Sequence, residues 1–294
     1  MKAGRRSFGG GVHPPERKSQ AESLPIEVLP TPKLISVPLL QHLGAPCDAL
    51  VKNREEVTVG QVIGRSEAPI SAPVHSSVEG TMAKPSVATL PNGRHVASLP
   101  IKVAAEQSLE GRDLFDDHFG GSWPVAETAE QTPESIIDAV REAGLVGMGG
   151  AAFPTWIKLR RNPERPVDTL LVNGCECEPY LSADNRLMIE AASPVISGAL
   201  LAARAAGAER IVVSIEDNKP EALAAMREAA AGTGVEVSSI PTKYPQGAEK
   251  QLVLVTLGRT VPRGGLPLDV GVVVVNVGTA AAIARAVQRG KPLT

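Results

Sequence analysis

From residue 168 to residue 289 the chain alternates short continuous apolar runs with longer stretches whose apolar residues recur at helical spacing, and nothing else in the sequence restricts the fold as strongly. Asp168-Thr-Leu-Leu-Val172, Arg210-Ile-Val-Val-Ser-Ile215, Val235-Glu-Val-Ser-Ser-Ile240 and Val270-Gly-Val-Val-Val-Val275 read as strands, separated by helical stretches near 193–206, 219–231, 247–257 and 279–289. Runs that are apolar at nearly every position suit strands buried on both faces, the condition of a parallel sheet covered by helices. Sheets of this kind bind ligands beyond the carboxyl ends of their strands, so chemistry is expected in the loops after residues 172, 215, 240 and 275.

The helical period begins earlier. Thr132-Pro133-Glu134 supplies an N-cap, a proline at the first helical position and an early acid, with Ile136, Ile137, Val140 and Leu145 at helical spacing and Gly144 as the stop. Residues 132–294 are therefore expected to form one α/β domain. Residues 24–103 have a different texture, with short Val- and Ile-rich runs broken by Gly, Pro and Asn. The stretches Val57-Thr-Val-Gly-Gln-Val-Ile-Gly64 and Ser71-Ala-Pro-Val-His-Ser-Ser-Val-Glu-Gly80 resemble the barrel-sandwich hybrid fold of biotinyl and lipoyl carriers. Those carriers need a lysine at the hairpin tip, where this chain has Val74-His75-Ser76, so the unit is expected to be structural. Residues 1–23 read as an N-terminal arm and the polar stretch 104–131, with Gly120-Gly121, as a linker.

Composition narrows the function. With 30 basic against 32 acidic residues there is no field to recruit nucleic acid or an anionic membrane surface. Lys2, Arg5 and Arg6 are followed by Gly9-Gly-Gly11 in place of the apolar run of a signal peptide, and runs such as 195–202 fall short of the ~20 residues that span a bilayer, so a cytoplasmic location without a direct membrane span is expected. Three cysteines, Cys47, Cys175 and Cys177, make no disulfide framework and no metal site of their own.

The chemistry concentrates in three segments. Gly144-Leu-Val-Gly147-Met-Gly149-Gly150-Ala151-Ala-Phe153-Pro-Thr155-Trp-Ile-Lys158 offers bare backbone amides, a helix start at Pro154-Thr155 for an anion, and a lysine beside it, although ordinary turns are also glycine-rich. Asn173-Gly-Cys175-Glu176-Cys177-Glu178-Pro-Tyr180, with Asp184 and Arg186 close behind, follows an expected strand. There Glu176 and Glu178 would project together if the chain turns, and a solvated acidic loop is the plainer alternative. Tyr244-Pro-Gln-Gly247-Ala248-Glu249 opens another helix, and Asn276 with Thr279 ends the last strand, where Thr279 also reads as an ordinary N-cap.

In this order the segments resemble the C subunit of the Rnf (Rsx) ion-translocating electron-transport complex, related to the flavin-bearing subunit of respiratory complex I. The likeness extends to Gly9-Gly-Gly-Val-His-Pro-Pro-Glu16, Pro38-Leu-Leu-Gln-His-Leu-Gly-Ala-Pro46 and Val51-Lys52. It implies a complex I-like, parallel-sheet flavin-binding α/β domain preceded by the small all-β sandwich. The relatives' FMN loop Gly-x-Gly-Gly-Ala-Gly-Phe-Pro-Thr stands here as Gly147-Met-Gly149-Gly150-Ala151-Ala152-Phe153-Pro154-Thr155, with Lys158 in the place of the family lysine. By the same match Asn173, Cys175 and Glu176 fall at FMN contacts, and Glu178 lies where nicotinamide stacks and takes the catalytic role. Tyr244, Gly247, Ala248 and Glu249 match a Tyr-x-x-Gly-Glu-Glu stretch, and Asn276 and Thr279 an Asn-x-x-Thr.

Met148, Cys175 and Ala248 stand where complex I relatives have arginine, aspartate and glutamate, which weakens the NADH contacts more than those to FMN. The family continues into a β-grasp module and a ferredoxin-like domain whose cysteines hold two [4Fe-4S] clusters. None of those cysteines is among these 294 residues, so the sequence reads as truncated before that domain. The resemblance implies electron transfer between NADH and those clusters through FMN. Its partners would be the other subunits of a membrane complex, on whose cytoplasmic face it would be peripheral, and ferredoxin or a similar carrier. A soluble cobalamin reductase or electron-transfer adaptor would share the same motifs, and a scaffold that has lost its flavin is the alternative of another class.

Overall fold

A computed structural model describes residues 7–294, and the chain forms two compact units. Met1–Arg6, the start of the expected arm and the place of Lys2, Arg5 and Arg6, lie outside the described residues.

One unit comprises residues 27–121, 138–157 and 285–294. Its strands are β1 (Leu34–Pro38), β2 (Asp48–Ala49), β3 (Glu56–Val57), β4 (Val62–Arg65), β5 (Val74–His75), β6 (Gly80–Met82), β7 (Ser86–Thr89) and β8 (His95–Val103). One sheet runs β1-β8-β6-β3 with β7 also on β8, the other β2-β4-β5, and both are antiparallel. Their inner residues, among them Val37, Val57, Ile63, Val74, Leu99 and Ile101, bury into one core, which is what makes short strands stable together. Gly80 is obligatory here, because an added Cβ would stand 2.3 Å from Lys102 O.

Residues 104–131 are not featureless. They carry α1 (Gly111–Phe119) and α2 (Val125–Glu130), whose polar sequences gave little helical period. Next comes α3 (Pro133–Glu142), started as expected: Ser135 N donates to Thr132 Oγ1 at 3.1 Å and Thr132 N to Ser135 Oγ at 3.1 Å. Gly144 follows with φ +67°, and a Cβ there would meet Pro73 O at 2.3 Å. The short helix α4 (Thr155–Leu159) comes after the glycine loop.

The second unit comprises residues up to 26, 122–137 and 158–284. Its strands β9 (Thr169–Gly174), β10 (Arg210–Glu216), β11 (Glu236–Ile240) and β12 (Val272–Asn276) pair in parallel in the order β11-β10-β9-β12. Helices α5 (Ala183–Glu190), α6 (Ala192–Ala206), α7 (Pro220–Ala229), α8 (Glu249–Leu257) and α9 (Val277–Arg289, in this unit to Ala284) complete it. The expected doubly covered parallel sheet is present, with Leu170, Leu171, Val172, Val213 and Val272 under 1% exposed. Among the described residues no single helix is long and apolar enough to cross a membrane, although α5 and α6 together pass that test as a bent pair. Most of α6 is buried against this unit.

The arm is part of this unit. Phe8 joins the sheet's core, Val12 and Tyr244 exchange two 2.9 Å backbone bonds, and Tyr180 N donates to Glu16 O at 2.9 Å.

Candidate functional site

The strand order fixes where the sheet can hold a ligand. From β9 the chain moves outward to β10 and β11, then returns to add β12 on the opposite side of β9. The order reverses between β9 and β12, and a crevice forms at such a point beyond the strands' carboxyl ends. Those ends are Asn173-Gly174 and Asn276, and Asn173 and Asn276 are paired in register.

Each asparagine side chain is engaged on both atoms. Asn173 Oδ1 accepts from Cys175 N at 3.0 Å, an Asx turn that sharpens the exit from β9, and its Nδ2 donates to Gly247 O at 2.9 Å. A Cβ on Gly247 would stand 3.1 Å from Cys175 Cβ, so any larger residue would push the turn after β9 by a few tenths of an ångström. Asn276 Oδ1 accepts from Gly278 N (2.8 Å) and Thr279 N (3.4 Å), so Asn276 is the side-chain cap of α9. The expectation that Thr279 plays that part is corrected: Thr279 is the third residue of the helix, within its first turn, and is 2% exposed.

Asn276 Nδ2 donates to Asp184 Oδ2 at 2.6 Å. Burial pushes the Asp184 carboxyl up to about 6, the charge of Glu176 adds to this, and the Asn276 bond opposes it. The sequence flagged Asp184 only as a neighbour of the acidic segment.

Glu176 and Glu178 do not project together. Glu176 is 4% exposed and Glu178 is exposed: an extended segment would put both on one face, but the chain bends at Glu178 and turns at Pro179-Tyr180, and the two side chains part. The Glu176 carboxylate accepts from Asp184 N (2.9 Å) and Asn185 N (3.3 Å), serving as the cap that Ser182 does not supply to α5. Lys18, from the arm, donates to the carbonyls of Glu176 and, at 2.6 Å, Leu181, and burial holds its ammonium pKa below the ordinary lysine value. Glu216, fully buried, accepts from Glu176 N at 3.2 Å and pairs with buried Lys219 at 2.9 Å. Lys18, Glu216 and Lys219 escaped sequence reasoning because their partners are set by the fold.

Cys175 is buried and desolvation lifts its thiol well above the ordinary cysteine range; Cys177 is raised less. Lys158 Nζ pairs with Glu249 Oε1 at 2.8 Å and reaches Val274 O at 3.3 Å, so two predicted residues meet each other. Ala248 occupies the N-cap of α8 without a side-chain bond, and Tyr244, 39% exposed, precedes a cis proline. Between them Gln246 is 1% exposed with neither amide atom hydrogen bonded, a feature the sequence did not single out.

In the sandwich unit the remaining predicted residues form one pinched loop. Gly147 N donates to Phe153 O and Thr155 N to Leu145 O, both at 2.9 Å, and Val146 and Pro154 form an isolated bridge. Between these anchors Met148, Gly149, Gly150 and Ala151 are exposed. Nothing lies within 4 Å of a Cβ built on Gly150. Thr155 Oγ1 is buried without a hydrogen-bond partner, which is uncommon for a hydroxyl. An exposed glycine loop and a buried hydroxyl in want of an acceptor fit an anionic group such as a phosphate.

Fold and loop define the class: a barrel-sandwich unit combined with an α/β unit of the flavin-nucleotide type. Residues 6–106 match the RnfC barrel sandwich hybrid domain and residues 140–285 match the Nuo51 FMN-binding domain. The chain belongs to the RnfC family. It is 42% identical over 98% of its length to the C subunit of the proton-translocating ferredoxin:NAD(+) oxidoreductase complex of Clostridium ljungdahlii, covering 61% of that protein. It is 41% identical, again over 98%, to the C subunit of the Na(+)-translocating ferredoxin:NAD(+) oxidoreductase complex of Acetobacterium woodii, covering 63% of it. With the C subunit of the ion-translocating oxidoreductase complex of Rhodobacter capsulatus it shares 38% identity over 98% of this chain and 54% of that protein. The chain thus spans less than two thirds of the length of these relatives.

Proposed function

We propose that this chain is the flavin-bearing electron-transfer subunit of a ferredoxin:NAD+ oxidoreductase complex, binding FMN through the loop at Gly147–Thr155 and exchanging electrons with NAD(H). The observation that carries the reading is an exposed glycine loop, open around Gly150, that leads into a helix start with an unpartnered, buried hydroxyl at Thr155. Membership of a family with an FMN-binding domain supports it.

A bound FMN would supply the link between the two-electron chemistry of a nicotinamide and the one-electron chemistry of iron-sulfur clusters. The residues supply binding and electrostatics. In the sandwich unit Gly147, Gly149, Gly150, Ala151, Phe153 and Thr155 are assigned to the cofactor, their amides facing negative charge. In the α/β unit the assignment covers Lys158, Asn173, Cys175, Glu176, Tyr244, Gly247, Ala248, Glu249, Asn276 and Thr279. Among these, Cys175 and Glu176 act from behind, shaping the turn after β9, since both are buried. Exposed Glu178 is assigned to the nicotinamide.

Electrons would pass to or from two [4Fe-4S] clusters in a region following residue 294 and to ferredoxin or a similar carrier. The protein would sit on the cytoplasmic face of the membrane, held by the other subunits. Absorption spectra of the purified protein test the reading: an oxidised-flavin spectrum bleached by anaerobic NADH is expected. A colourless protein that takes up no FMN on reconstitution overturns it.

A further inference from the structure

Ala152 lies in the glycine loop with φ +50°, a left-handed conformation that an alanine adopts at a cost and that the complex I motif provides for with glycine. Such a conformation persists only where its surroundings over-determine it. The support comes from within the sandwich unit: Leu43 N donates to Ala152 O at 3.0 Å.

Leu43 belongs to a turn that is itself fixed from several directions. Ala45 N donates to Ile70 O at 3.0 Å and Cys47 N to Leu39 O at 2.8 Å. His42 is buried and desolvation depresses its pKa; its Nε2 lies 3.0 Å from Ala45 O as well as 3.2 Å from Ala72 N, so the tautomer decides which of the two bonds it makes, and either one ties the ring to the turn. Gly44, at φ +142°, leaves no room for a side chain, because its Cβ would stand 2.2 Å from Ile70 O. The turn therefore presents the Leu43 amide from a rigid base.

We propose that the His42–Ala45 turn is the positioning element of the flavin loop: the Leu43 amide holds Ala152 in its left-handed turn and thereby sets the direction of the Gly149–Ala151 amides. This rests on the assignment of that loop to FMN. Leu43 acts through Ala152 and is a positioning residue. The sandwich unit, read from the sequence as structural, then governs cofactor affinity.

The test removes one N–H. Leu43→Pro deletes the donor, whereas Leu43→Ala keeps it. With the purified protein and FMN as titrant, Leu43→Pro is expected to weaken binding about tenfold, the size of one lost hydrogen bond, and Leu43→Ala by less than about twofold. Adding Ala152→Gly to Leu43→Pro should restore affinity to within about threefold, because glycine adopts positive φ without the steric cost an alanine carries there. Loss of sandwich stability alone would not be rescued in this way. If Leu43→Pro does not fold, an amide-to-ester replacement at Leu43 removes the same donor. Unchanged FMN affinity in the donor-deleted protein, or failure of Ala152→Gly to rescue, overturns the proposal. Hydrogen exchange of the 147–153 amides in flavin-free protein, expected to quicken on donor deletion, keeps the two readings apart. Should the wild-type protein take up no FMN, the flavin assignment falls and the exchange rates alone decide the positioning claim.

Discussion

Asn173 and Asn276 are register partners at the carboxyl ends of adjacent parallel strands, and their side-chain amides reach in turn to Gly247 O at 2.9 Å and Asp184 Oδ2 at 2.6 Å. One pair of short side chains thus ties the loop before α8 and the start of α5 to the point where the strand order reverses. The loops there are held by specific hydrogen bonds, so single substitutions should have graded, readable effects.

Asn276→Ala removes the cap of α9 and the donor to Asp184, and should destabilise the protein by about 1–2 kcal/mol. Asn276→Asp keeps a capping acceptor but sets a second carboxylate against Asp184. Its loss should be larger at pH 7 and shrink at pH 5, where a shared proton fills the pair. Urea denaturation at the two pH values checks both; equal losses for Asn276→Asp would contradict the contact.

Asp184 gives stability a pH dependence of defined sign. Its folded pKa of about 6 lies above the ordinary aspartate value, so between about pH 4 and 6 the folded protein holds a proton that the unfolded chain has released. Stability falls as pH rises through that window, and the full penalty, on the order of 2–3 kcal/mol, is present above it. Asp184→Asn keeps an acceptor for Asn276 and removes the charge. The variant should exceed wild type in stability at pH 7 and match it near pH 4; a difference that does not vary with pH would refute the assignment.

Gly198→Ala tests the crossing of α6 and α9. The added Cβ would stand 1.7 Å from Ala280 O, on backbone that cannot swing aside, so the helices must separate. The expected loss is about 1–3 kcal/mol or more in chemical denaturation.

The sheet was legible because β9, β10 and β12 are apolar at almost every position, a pattern that survives without context. Helix α5 was not: Leu187, Met188 and Ile189 are consecutive instead of three or four apart, and its cap comes from Glu176, outside the helix. The same distance effect hid Lys18, whose contact with the Glu176 carbonyl joins residues 158 apart in sequence. The acidic pair parts because Glu176 turns inward to cap α5 while the chain bends at Glu178, and neither event is encoded in the spacing of the two residues. Asn276 and Thr279 were found as a pair, but which of them caps α9 depended on the exact first residue of the helix. At Ala152 the sequence gives no sign of positive φ, since alanine is disfavoured there; only the relatives' glycine marks the position.

Gly150→Val and Thr155→Val separate flavin binding from folding. Gly150 has no positive φ, and a Cβ added there would have nothing within 4 Å, so valine should leave stability unchanged or raise it by up to about 1 kcal/mol through the unfolded state. The same side chain would cover the loop amides, and FMN affinity should fall at least about tenfold, the scale of one or more lost hydrogen bonds. Thr155→Val deletes a buried hydroxyl that has no partner, which should be neutral or stabilising in the flavin-free protein and should weaken FMN. Fluorescence titration with FMN alongside thermal unfolding measures both axes. Two stable variants that bind FMN like wild type would remove this loop from the flavin site, because the geometry leaves these substitutions no other route to an effect.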